Sequence, residues 1–112
     1  MDSLQVTDAA SAAVAVAPRV QLTDIESAIA ARYDLTADKA IGPDAPIMKG
    51  MEQLSICILV MKNGFMVIGK SAPASPENFD RDLGRKFAYE NAIRELWPLM
   101  GFALRDKLAS GV

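Results

Sequence analysis

The most legible hydrophobic pattern runs from Ser55 to Ser71, SICILVMKNGFMVIGKS, where two apolar runs are joined by Asn63-Gly64. An Asn-Gly pair between aliphatic runs signals a β-hairpin, because a type I′ turn needs positive φ at both central positions. With a two-residue loop the turn is Lys62-Asn63-Gly64-Phe65. That register pairs Lys62 with Phe65, Val60 with Val67, Ile58 with Gly69 and Ile56 with Ser71 on one face. Met61 with Met66, Leu59 with Ile68 and Cys57 with Lys70 then share the other. Both faces are largely apolar, so each needs a cover from helices or from another chain.

The flanking segments predict helices. Thr23-Asp24-Ile25-Glu26 has the form of a capping box, and Ile25, Ile29 and Tyr33 follow at helical spacing, which predicts a first helix ending near Asp34 or Leu35. Thr36 to Met51, punctuated by Gly42-Pro43, Ala45-Pro46 and Gly50, reads as a loop with room for a helical turn at Thr36 to Ala40. Ser75-Pro76 predicts the start of a long helix over residues 76–96, whose Gly84, Ala88 and Ala92 form a strip that admits another backbone. Proline lacks the amide for an intrahelical bond, so Trp97-Pro98 is expected to break that helix and start a short C-terminal one. The Ala/Val-rich stretch before residue 20 reads as a flexible tail, disordered or weakly helical. These elements define an α+β fold: N-terminal helix, antiparallel hairpin, long helix broken at Trp97-Pro98 and short C-terminal helix. Residues 21–112 form one small domain, expected to be oligomeric because the hairpin cannot cover its own faces.

Composition narrows the chemistry. The 112 residues include no histidine and one cysteine, with a formal charge of −2. This removes histidine triads, most zinc sites and any intrachain disulfide framework, so no metal and no cofactor is expected. Cys57, inside a strand, reads as a small buried hydrophobe. Asp2 and Asp8 precede the Ala/Val run without a Lys or Arg, which is the wrong charge for a signal peptide, and the run is too short to span a bilayer. No membrane association and a cytoplasmic location are therefore expected. The carboxylates give no acid–base pair: Asp80 and Asp82 point to different sides of a helix, and Glu90 and Glu95 read as surface charge. No phosphate-cradling glycine loop is present either. The protein is expected not to be an enzyme.

One basic constellation gives a tentative ligand site: Lys70 and Ser71 leave the second strand, and Arg81, Arg85 and Lys86 begin the long helix, where free amides and cations together suit an anion. In outline the chain resembles a double-stranded-RNA-binding domain, with Gly69-Lys70-Ser71-Ala72 leading to Gly84-Arg85-Lys86, although one strand is missing and the net charge is negative. A second tentative surface, for a partner or for self-association, is the hairpin face of Leu59, Met61, Met66 and Ile68, since methionine suits adaptable apolar contact.

Lys62-Asn63-Gly64-Phe65, Gly69-Lys70-Ser71-Ala72, Pro76-Glu77-Asn78-Phe79-Asp80, Gly84-Arg85-Lys86, Asn91-Ala92, Trp97-Pro98-Leu99 and Gly101-Phe102 occur in that order. Together they resemble the gene-product-49-like (gene-product-66-like) family of small tailed-phage and prophage proteins, over about residues 55–108. Pro73 stands where relatives often carry Cys, and Phe102 where they often carry Tyr. The resemblance implies an accessory protein of an infected or lysogenic bacterium and no known catalysis. From it follows the expectation of a non-enzymatic, homo-oligomeric binding protein that inhibits or sequesters a host component. The alternative is a nucleotide or nucleic-acid binder using the basic constellation.

Overall fold

The computed structural model describes residues 2–111. Helix α1 (Ser3–Val14) and helix α2 (Leu22–Ser27) lead into strand β1 (Ile29–Thr36); β2 (Ser55–Met61) and β3 (Met66–Ser71) follow, and helix α3 (Arg81–Ala109) ends the fold. The strands form one antiparallel sheet in the order β1-β2-β3, and the helices lie on one of its faces.

The hairpin forms, but its register differs by one residue from the expected one. Val60 pairs with Met66, Ile58 with Ile68, Cys57 with Gly69 and Ser55 with Ser71. The turn explains the shift. Met61 donates its amide to the Phe65 carbonyl at 2.8 Å, and Gly64 donates to the Met61 carbonyl at 2.9 Å, so Lys62-Asn63-Gly64 form a three-residue loop. Only Gly64 in that loop has positive φ, 88°, whereas a type I′ turn would require it at Asn63 as well. This is a type I turn closed by a left-handed glycine bulge. Asn63 Oδ1 accepts the Phe65 amide at 2.9 Å, which holds the loop in that form. A slip of one residue turns every β3 side chain to the opposite face.

The face against the helices is the core. Along β2, Ser55, Cys57, Leu59 and Met61 are buried, and they meet Ala88, Ala92, Ile93 and Leu96 of α3. The small-residue strip does what its spacing predicts. A side chain at position 69 would overlap the Ala88 carbonyl and the Ala92 backbone, so β3 and α3 approach backbone to backbone only because residue 69 is glycine. Gly84 makes similar room for Ser55.

Four expectations are corrected. The first helix ends at Ser27, and Ile29 to Thr36 is a strand; Ile29 and Tyr33 are four apart, but Ala31, Tyr33 and Leu35 also alternate, and the unpaired edge of β2 selects the strand. Ser27 Oγ bonds back to the Thr23 carbonyl, which competes with helix continuation, and the Ala28 carbonyl accepts the Lys62 amide at 2.8 Å. The cap of α2 is Gln21 with Asp24, not Thr23 with Glu26. Next, Pro76–Asn78 is only a 3-10 turn, as is Ala37–Lys39 at the foreseen place in the long loop. The long helix starts at Arg81, capped by Asp80, whose carboxylate accepts the Leu83 amide at 2.9 Å. Third, α3 runs through Trp97-Pro98 without a break. Pro98 is on the exposed side, where water can take the freed carbonyl, and Trp97 is held by its indole N–H, which donates to the Val20 carbonyl at 3.1 Å. Finally, the stretch read as a flexible tail is helix α1. Its start is a capping box, in which Asp2 accepts the Gln5 amide at 2.8 Å and Gln5 accepts the Asp2 amide at 3.0 Å. Leu4 is buried in the core. The Ser3 hydroxyl donates to Glu90 at 2.8 Å and accepts from Arg94 at 3.1 Å, tying α1 to α3.

Candidate docking surface

All three helices cover the same side of the sheet, and among the described residues no helix covers the other. Register places Ala31, Tyr33 and Leu35 of β1, Ile56, Ile58 and Val60 of β2, and Met66, Ile68 and Lys70 of β3 on that open side. Every position except Lys70 is apolar or aromatic. Tyr33, Met66 and Ile68 are 57%, 61% and 60% exposed, while the central β2 residues are half-buried by their neighbours alone. Sheets of this kind ordinarily alternate apolar-in and polar-out; here both sides are apolar, as the sequence indicates.

The register separates the hairpin surface named from the sequence. Leu59 and Met61 face α3 and are buried at 0% and 6% exposure, whereas Met66 and Ile68 lie on the open side. The open surface therefore keeps Met66 and Ile68 and gains Tyr33, Ile58 and Val60. The alternation of β1 was the available signal for Tyr33, masked by its equally good helical spacing.

The basic constellation is likewise dispersed. Lys70 stands on the open face, with its amide donating to Asn91 Oδ1 at 2.9 Å. Ser71 is on the helix side beside Phe79 and Gly84. Lys86 lies with Arg94 near the start of α1. Only Arg81 and Arg85 stay together, and they line a small cleft with Lys39, Asp34, Thr36 and Ser55. Among the described residues neither arginine forms an ion pair, although Asp80 and Asp82 adjoin them in sequence; the ion pairs are Arg19–Asp8, Arg32–Asp34 and Lys39–Asp38. Lys39 was not singled out from the sequence, since it reaches the cleft only through the unforeseen strand β1.

Glu90, read from the sequence as surface charge, is buried, with Oε1 accepting from Ser3 and Oε2 without a hydrogen-bond partner among the described residues. Burial pushes the Cys57 thiol up, the Asp34 carboxylate adds to the rise, and Arg32 opposes it; a neutral, buried thiol is unreactive. Burial also raises the Tyr89 phenol, with Glu26 adding and Arg32 opposing. Arg32 stacks 4.3 Å above the Tyr89 ring while holding Asp34 at 3.0 Å. Among the described residues no group of three or more His, Cys, Asp or Glu could hold a metal ion, and no helix is long and apolar enough to cross a membrane.

Fold and surface together define a small α+β protein, a three-stranded sheet backed by helices on one side and open on the other. The order from α2 to α3 is helix, three antiparallel strands, helix. The chain belongs to the Phage protein (N4 Gp49/phage Sf6 gene 66) family, which it matches over residues 20–108. The match reaches back through β1 and α2, well before residue 55, where the resemblance read from the motifs begins. No curated protein and no solved structure matches the chain.

Proposed function

We propose that this phage protein is a non-enzymatic binding protein that works in the host cytoplasm, docking the open face of its sheet onto a host protein and thereby inhibiting or sequestering it. The observation that carries the reading is the open face itself, apolar at every position but one and flanked by no helix. Contiguous exposed apolar surface on a folded protein marks an interaction site. The partner fitting it is a protein surface of aliphatic and aromatic side chains with a carboxylate placed to meet Lys70. Met66 and Ile68, at the β3 edge, supply adaptable contact, and the rigid central strand supplies pre-organisation.

The test is affinity capture from host lysate by the full-length chain and by Ile68→Glu. The wild-type chain recovers one stoichiometric host protein, and Ile68→Glu loses it while keeping the far-ultraviolet circular dichroism. Recovery of the same partner by the variant overturns the reading. A salt-sensitive RNA shift that survives Ile68→Glu but disappears in Arg81→Glu/Arg85→Glu supports instead the nucleic-acid alternative, through the Lys39–Arg81–Arg85 cleft.

A further inference from the structure

The second half of α3 presents an apolar surface separate from the sheet face. From Leu96 to Leu104 nine consecutive residues, LWPLMGFAL, carry no charge and no polar side chain other than the indole. A helix apolar all round belongs in an interior. Yet Leu96 is the last buried residue of α3, and beyond it Leu99, Phe102 and Leu108 are 47%, 70% and 49% exposed. Beside this ridge runs a groove of about 450 Å³ between α3 and the hairpin turn, lined by Ala28, Met61, Phe65, Leu96, Met100 and Ala103. Ridge and groove are thus adjacent on one body, which is the arrangement a two-fold interface needs: each copy offers the knob and the hole.

Three further observations single out a second copy of this chain as the occupant. The chain exposes 7625 Å², against about 6,000 Å² for a compact monomer of 12.0 kDa. Its radius of gyration is 16.8 Å, against about 13 Å for a compact chain of this length. The excess surface is roughly twice the ~800 Å² per partner that a standard interface buries, so one dimer contact fits within it and leaves the open sheet face over. Lys62 stands at the groove, and Asp106, which lies between Arg105 and Lys107, follows Phe102 by one helical turn, so that the stripe carrying Phe102 presents the carboxylate to Lys62.

We infer that the protein is a two-fold dimer in which the C-terminal half of α3 from each protomer lies in the groove of the other. Phe102 is the knob, entering the space between Phe65 and Met100, and Asp106 approaches Lys62 across the interface. The two sheet faces remain free.

The experiment is the solution mass of the full chain by light scattering and sedimentation, over concentrations from micromolar to hundreds of micromolar. Wild type and Ile68→Glu have twice the chain mass, and Phe102→Glu has the chain mass with unchanged circular dichroism. Phe102→Leu, which keeps an apolar knob, stays dimeric. A wild-type chain that is monomeric throughout, or a Phe102→Glu variant that is still dimeric, overturns the inference. So does dissociation by Ile68→Glu alone, because self-association then uses the sheet face. Host-partner capture is a separate readout, so failure of the docking reading and failure of the dimer are distinguishable.

Discussion

At Gly69 the sheet and α3 touch through their backbones, and a single methyl group has nowhere to go. The atoms it would meet are the Ala88 carbonyl oxygen and the Ala92 backbone, which cannot rotate away as a side-chain tip can. Gly69→Ala is therefore expected to destabilise the fold by about 2–3 kcal/mol, the upper part of the usual overpacking range. Urea unfolding measures it, and an unchanged midpoint would contradict the close approach. Asp8 shows how a charge holds the N-terminal helix. Its carboxylate accepts from Arg19 at 2.7 Å and from the Leu22 amide at 3.2 Å. The hydrogen bond to Arg19 is the main cause that lowers its pKa below the model-peptide value of 3.8, with burial opposing and the Leu22 amide assisting. A lowered folded-state pKa means that this stabilisation is complete above the unfolded-state value and is lost as pH falls through the folded-state value. Amide exchange in α1 should thus rise selectively in wild type at pH below about 4, and Asp8→Asn should show the faster exchange already at neutral pH.

The elements differ in how plainly they were written in the chain. The hairpin was legible because Asn63-Gly64 admits few alternatives, but its register was not, since Gly in either loop type satisfies the turn and the choice depends on what must meet α3. Only Gly69 can lie under Ala88 and Ala92, and the three-residue loop puts it there. The first strand was hidden because Ile29 and Tyr33 fit both periods, and the deciding force is the free edge of β2, which is remote in sequence. Helix α1 was undervalued for a related reason: its Ala-rich stretch has strong helix propensity, but Leu4 and Ser3 gain partners only from α3. The open apolar face was foreseen as a need and not as a location. Pro98 is the clearest conflict between local preference and observed structure. A proline inside a helix costs about 3 kcal/mol, so Pro98→Ala should stabilise the chain by about 1–3 kcal/mol in a thermal melt, part of the gain being lost to the unfolded state. A lower melting midpoint would show that the proline fixes a shape that the helix needs.

The molecule as a whole is a flat, elongated body of 53 × 30 × 18 Å. In the proposed dimer both sheet faces point outward, so that assembly would be bivalent and is expected to bind the proposed host partner in a 2:2 ratio. The complex mass, measured by light scattering, gives that ratio directly, and Phe102→Glu should reduce it to 1:1 while weakening capture by a multivalent surface. The Lys62-Asn63-Gly64 loop carries a last consequence, for how the chain tolerates changes in length. One residue deleted there would swing Lys70 toward α3 in place of Gly69, and the two apolar sides of the sheet would exchange roles with no room for the exchange. The loop between Ala40 and Gly50, exposed and outside the sheet, carries no such constraint. Related chains should accordingly vary in length between β1 and β2, while the spacing from Ser55 to Ala92 stays invariant to the residue.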